Sequence, residues 1–269
     1  MSRIFTRRRT ATAIVTAALL LPLAACGGKD DSKKDTGAGA KASASGTPKA
    51  DLTVLAASSL TDVFGTAKKV YEKEHPGTKI TYSFAGSQEL ATQVKQGSPA
   101  DALVTADTKT MDGLKSDVGT PEIIAKNRLV IVTGKGNPDK VHNLKDLANP
   151  KLKVVLAAPE VPVGNYSKKV LDAQKIKVKP VSQEVNVRAV LSKVELGEAD
   201  AGIVYKTDAA TAPGKVVAVD IPDAQNAVAS YPAATVKDSK HSAAAAAFVK
   251  WLDSPEAQKI LQGAGFQKP

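Results

Sequence analysis

Strand–helix alternation predicts an α/β protein with largely parallel sheets. From residue 51 onward in the 269-residue chain, short apolar runs alternate with segments of helical apolar spacing. The helical segments close on breakers, His75-Pro76-Gly77 after the first and Gly97 after the next. With 43% apolar residues, 19 Gly and 15 Pro, the composition is that of a globular protein, long enough for one large domain or two ordinary ones.

Residues 52–57 are a continuous apolar run, the pattern of a buried strand. Over 60–74, Leu60, Val63, Phe64, Ala67, Val70 and Tyr71 share one helical face. Residues 79–84 read as a strand, 88–96 as a helix and 102–105 as a strand. Asp101 and Asp107 flank this last strand and are expected to cap and solvate rather than act as an acid pair. Strands follow at 129–133 and 154–157, helices at 166–174 and 187–196, and strands at 201–205 and 233–236. Two helices close the pattern, 243–252 and 255–263; Ser254 caps the second, with Pro255 at its first position.

The formal charge of +10 is concentrated at the N-terminus, and residues 51–269 hold 28 basic against 24 acidic residues. Aromatic residues make up only 4%, too few for a base-stacking platform, so no nucleic-acid partner is expected. The single cysteine excludes a disulfide framework and a Cys-based metal centre. His75, His142 and His241 form no metal-binding spacing, and no cofactor is expected.

Arg7-Arg8-Arg9 precedes the apolar stretch AIVTAALLLPLAAC, which is shorter than the ~20 residues that span a bilayer comfortably. A basic segment, a short apolar core and a small-residue end read as a secretory signal over residues 1–25. Leu23-Ala24-Ala25-Cys26 resembles a bacterial lipobox, which makes Cys26 the expected lipidation site and mature N-terminus. Buried acyl chains contribute ~0.8 kcal/mol per CH₂ to membrane attachment. Residues 26–50, without a large apolar residue, are expected to be a flexible tether. The protein is then exported and anchored to the outer face of the cell membrane. The arginine run lacks a full twin-arginine motif, which leaves the export route open.

The chain contains no GxSxG elbow and no GxxxxGK[ST] phosphate loop. Nothing in it argues for an enzyme. What it offers is hydroxyls and amides at helix starts: Ser59 in AASSLTD, Ser87 in FAGSQEL, Val163 in PEVPVGNY and Val187 in EVNVRAVL. Helix N-termini carry free N–H groups and the positive end of the helix dipole, so several converging make an anion site without a cation. In open α/β sheets such ligands lie beyond the carboxyl ends of the strands. Taken singly, a serine at a helix start is usually an N-cap worth ~1 kcal/mol, the two valines read as packing residues, and Tyr205 reads as core.

The segments LTVLAASSLTDVF, TYSFAGSQELATQVKQGSPADALVTAD, APEVPVGNY, NVRAVL and ADAGIVYKTDA occur in this order, followed by YPAATV and AFVKWLDSPEAQKILQGAGF. Together they resemble the periplasmic molybdate-binding (ModA) family of ABC transporters over nearly all of residues 51–269. The resemblance implies a type II periplasmic-binding-protein fold, two α/β lobes with the ligand cleft between them. Lobe one is expected at residues 51–130 plus 228–269 and lobe two at 131–227, with crossing strands near 129–133 and 231–236. It implies that Ser59 and Ser87 bind the oxyanion through hydroxyl and amide, Val163 and Val187 through backbone N–H, and Tyr205 through its hydroxyl. These residues would hold molybdenum only as the molybdate oxyanion, never by direct metal coordination. Tungstate, of nearly the same size and shape, is expected to bind as well. The implied partners are the permease subunits of an ABC importer, and the implied state is a monomer.

Other readings stay open at this point. One is a receptor for another tetrahedral oxyanion such as sulfate or phosphate. A second is a secreted α/β hydrolase, which needs a histidine beside a serine. A third is a structural lipoprotein with a vestigial cleft.

Overall fold

A computed structural model describes residues 49–269; Cys26, the expected signal segment 1–25 and the expected tether through residue 48 lie outside the described residues. The first sheet is built from β1 (Ala50–Ala57), β2 (Thr78–Ala85) and β3 (Ala102–Val104), with β1 in the middle and parallel to both neighbours. Residues Val54–Ala57 of β1 are nearly all buried, because α1 (Thr61–Glu74) and α2 (Ser87–Lys95) belong to the layers covering this sheet. α1 buries Val63, Phe64, Ala67 and Tyr71, the predicted stripe without its edge residue Val70.

The second sheet repeats the plan. β5 (Val154–Ala157) lies parallel to β6 (Ser182–Glu184) and β7 (Ala201–Tyr205), with α4 (Pro162–Ala173) and α5 (Val187–Glu195) as the connections. The short α6 (Lys206–Ala210) and β8 (Val216–Asp220) follow. α3 (Thr108–Asp112) sits after β3, where Asp107 accepts the Thr110 N–H at 3.0 Å as its cap.

Two strands join the sheets. β4 (Glu122–Gly134) pairs through Glu122–Arg128 with β9 (Val228–Thr235), and through its second half with β7 and β8. β9 in turn pairs with β3. All pairings of β4 and β9 are antiparallel, so the expectation of largely parallel sheets holds within each three-stranded core and fails at the crossover. The chain crosses out on β4 and returns on β9, and strands that cross and return must run opposite ways. α7 (Ser242–Trp251) and α8 (Pro255–Gly263) then pack on the first lobe. Phe248 and Trp251 meet the Tyr71 ring edge-on at 5.1 Å, and Trp251 Nε1–H donates to Glu74 Oε2 at 2.7 Å.

α4 begins at Pro162, four residues before the expected position near Tyr166. Proline at the first helical position already has the required φ and needs no N–H partner. Gly164 lets this first turn sit on the end of β5: a Cβ there would lie 2.0 Å from the Ala158 carbonyl oxygen and 2.5 Å from that of Ala157.

Two polar contacts tie the lobes across their facing edges. Gln88 Nε2 donates to the Val185 carbonyl at 2.8 Å. Arg188 on α5 donates from Nε to Asp208 Oδ1 at 2.6 Å and from Nη2 to Asp62 Oδ2 on α1 at 2.7 Å. Asp62 is largely exposed, so that pair is screened. Asp208 is fully buried, and its Oδ2 has no hydrogen-bond partner among the described residues. Burial pushes its carboxyl up to about 6, with Arg188 pulling the other way.

Gly164→Ala is expected to destabilise the protein by about 1–3 kcal/mol in denaturant unfolding, because backbone rather than a movable side chain stands in the way. The buried Asp208 carboxyl binds its proton more tightly than an unfolded aspartate with the ordinary value of 3.8. Its unfavourable contribution is therefore relieved as pH falls from about 6 toward 4. Unfolding curves between pH 4 and 7 should show the unmutated protein gaining stability relative to Asp208→Asn as pH falls. A difference independent of pH would contradict this.

Candidate functional site

Parallel register brings the predicted residues together. Ala57 at the end of β1 lies opposite Ala85 at the end of β2, so Ser59 and Ser87 emerge at the same height. Ser59 sits in a 3-10 turn ahead of α1, and Ser87 is the first residue of α2. In the second lobe, β5 and β6 lead into the N-termini of α4 and α5, which carry Val163 and Val187, and Tyr205 ends β7. Ser59, Ser87, Val163, Val187 and Tyr205 line one cavity between the lobes, of about 10 Å³. This is below the range of roughly 300–1,000 Å³ typical of organic-ligand sites and suits a small ion. None of the thirteen lining residues is charged, and none is a histidine, so no nucleophile–base pair forms there.

The polar groups are arranged as donors. Ser87 Oγ accepts the Ala106 N–H at 3.0 Å, which occupies a lone pair and leaves its proton to donate. Ser59 Oγ lies 3.0 Å from Tyr231 Oη. Tyr205 is buried, and its hydroxyl has no hydrogen-bond partner among the described residues. Burial pushes the Tyr205 phenol well above its ordinary value, and the nearby Tyr231, Tyr166, Asp107 and Asp208 act in the same direction. The phenol therefore keeps its proton. A buried hydroxyl without a partner costs ~1–3 kcal/mol, which an acceptor placed in the cavity would relieve.

The backbone contributes in the same sense. Val161 precedes α4 without a side-chain cap, Pro162 has no N–H, and the first intrahelical bond is Asn165 N–H to the Val161 carbonyl at 2.9 Å. This leaves the Val163 N–H unused by the helix. Asn186 caps α5 by accepting the Ala189 N–H at 3.0 Å, which leaves the Val187 N–H available. Gly86 precedes α2, and a Cβ there would meet the Val185 carbonyl oxygen at 2.5 Å, so glycine permits the lobes to approach at this point.

Several neighbours fall outside the site. Lys206 is exposed and pairs with Asp220 at 3.0 Å. Asp101 accepts the Thr53 N–H at 2.7 Å and lies 3.2 Å from His241 Nδ1, a structural role like that of Asp107. Among the described residues no group of three His, Cys, Asp or Glu is placed to hold a metal ion. Sequence reasoning missed Tyr231, whose hydroxyl touches Ser59. A tyrosine inside the apolar segment YPAATV was the available signal, since a buried phenol needs a polar partner.

The family described as bacterial extracellular solute-binding proteins matches residues 52–267. The molybdate-binding protein ModA of Mycobacterium tuberculosis is 37% identical over 263 residues, covering 96% of this chain and 97% of that one. ModA of Escherichia coli is 32% identical over 231 residues, covering 80% and 88%. A Bacillus subtilis relative, YvgL, provisionally named an ABC transporter substrate-binding lipoprotein, is 37% identical over 231 residues, covering 81% and 86%. Among solved structures, the periplasmic molybdate-binding protein of Azotobacter vinelandii superposes with TM-score 0.70 at 23% identity, covering 81% of this chain and 99% of that one. The sulfate-binding protein SubI of M. tuberculosis shares the fold at TM-score 0.71 and 21% identity, covering 81% and 86%. Relatives of this kind bind and carry solutes and are not enzymes. With its two α/β lobes and the cleft between them, the chain belongs to the bacterial extracellular solute-binding proteins of type II fold, as a member of their ModA group.

Proposed function

We propose that this protein captures molybdate, and tungstate as well, between its lobes and delivers the ion to an ABC permease. The observation that carries this reading is the unpartnered, buried Tyr205 hydroxyl, aimed with two serines and two helix N-termini at one small uncharged cavity. The relatedness to ModA proteins supports the choice of ion. Molybdate at neutral pH is a tetrahedral dianion with no proton to give. A site composed of donors suits it, and hydrogen bonds to an ion are about twice as strong as neutral ones.

Capture follows from the division of donors. Ser59 and Ser87 belong to lobe one, proposed as residues 51–130 plus 228–269. Val163, Val187 and Tyr205 belong to lobe two, residues 131–227. The ion gains all five contacts only when the lobes are together, so it shifts the open–closed equilibrium toward closure. Sulfate is smaller and would leave donors short of partners, which costs affinity. The protein is proposed to act as a monomer held at the outer face of the cell membrane through Cys26, beyond a signal segment at 1–25 and a tether at 26–50. The name of the B. subtilis relative supports the anchor.

Calorimetric titration is expected to give tight binding of molybdate and tungstate, and much weaker binding of sulfate and phosphate. Ser59→Ala, Ser87→Ala and Tyr205→Phe should each weaken molybdate by about 10- to 100-fold, the worth of one hydrogen bond to a charged group. Equal affinity for sulfate or phosphate would assign the site to a different oxyanion. For the anchor, Cys26→Ala should move the protein from the membrane fraction to the soluble fraction, and an unchanged distribution would refute it.

A further inference from the structure

Tyr231 lies in β9, where the chain crosses between lobes, and is wholly buried. Its ring packs edge-on against Phe266 at 5.4 Å and Tyr205 at 5.9 Å. Its hydroxyl has two polar neighbours: Ser59 Oγ at 3.0 Å and the side chain of Asn127 on β4. Asn127 is itself 1% exposed. The orientation of its amide is set on both sides. Oδ1 accepts the Arg128 N–H at 2.9 Å, and Nδ2 donates to Thr207 Oγ1 at 2.8 Å.

The Tyr231 hydroxyl is buried, and its proton has one hydrogen-bond acceptor among the described residues, Ser59 Oγ. If Ser59 donated to Tyr231 instead, the Tyr231 proton would be buried without a partner, which is costly. With Tyr231 donating, one of the two Ser59 lone pairs is occupied and the Ser59 proton is left for the cavity.

We propose that Tyr231 is a positioning residue that locks Ser59 as a donor, so that the oxygen meeting Ser59 must carry no proton. This rests on the oxyanion reading above and adds to it a specificity device outside the residues that touch the ion. The Tyr231–Ser59 contact is a one-way relay. It favours fully deprotonated oxyanions and works against hydrogen phosphate, whose hydroxyl would need an acceptor at this contact.

The test is a double-mutant cycle read by calorimetry with molybdate and with inorganic phosphate, on Tyr231→Phe, Ser59→Ala and the double variant. Tyr231→Phe keeps the ring and its packing. It is expected to weaken molybdate about tenfold and to lower the preference for molybdate over phosphate, because the freed Ser59 lone pair can accept a proton. In the Ser59→Ala background the same change should have little effect. Asn127→Ala, which removes a polar neighbour of the Tyr231 hydroxyl, should reproduce the loss of preference to a smaller extent even if Tyr231→Phe fails to fold. An unchanged affinity and preference in a folded Tyr231→Phe protein, or an equal loss with and without Ser59, would overturn the relay while leaving the oxyanion reading intact. Failure of the unmutated protein to bind any oxyanion would overturn both.

Discussion

Antiparallel pairing between β4 and β9 is the constraint on which the cavity depends. Each lobe has its own parallel core, and either alone presents only part of the donor set. β4 runs through both sheets without a break, pairing with β9 over Glu122–Arg128 and with β7 and β8 beyond it. Tyr205, paired with Leu129 just past the crossover, is thereby brought within ring contact of Tyr231 on the returning strand. The same crossing carries Asn127 and the Ser59 partner, so the layer behind the cavity belongs to the crossing strands rather than to either lobe's periphery.

The site's electrostatics follow from what was left out of it. A cation in the cavity would bind anions by charge, with little regard to shape or protonation. Here the nearby charges neutralise one another outside the lining: Arg188 is taken up by Asp208 and Asp62, and Lys206 by Asp220. What faces inward is a set of dipoles with fixed directions. Dipoles fixed by backbone geometry need little rearrangement when an ion arrives, and in a region shielded from water they act with full strength. Such a site measures distance and proton count together.

The family resemblance in the sequence named five residues that line the cavity, while parts of the fold that holds them were not legible. Ser59, Ser87 and Val187 stand at strand-to-helix junctions, and such junctions are marked by a change of apolar period from two to 3.6. Tyr205 was ambiguous by itself, because nothing local separates a core tyrosine from one whose hydroxyl is unpartnered. Tyr231 carried a local signal, a tyrosine inside an apolar segment, but its partner is 172 residues away. On the fold side, 201–205 and 255–263 were read to their observed limits, because apolar runs and proline caps are local signals. The first half of β4 was missed. Glu122, Lys126, Asn127 and Arg128 give it a polar pattern, and its strand character comes from pairing with β9. β6 and β8, short and partly exposed, owe their existence to neighbouring strands in the same way.

The return of β9 to the first sheet also orders the assembly of the chain. β3 acquires its second neighbour only when Ala233–Thr235 arrive, and α7 and α8 cover α1 later still. The second lobe, by contrast, draws β5, β6, β7 and β8 from one continuous stretch. Loop closure over such a long separation is slow compared with local pairing. A chain made from its N-terminus can pair β1, β2 and β3 locally, but the outer edge of β3 stays open until β9 has been made. The crossover, together with Tyr231, is therefore complete only after the residues of the second lobe have been made.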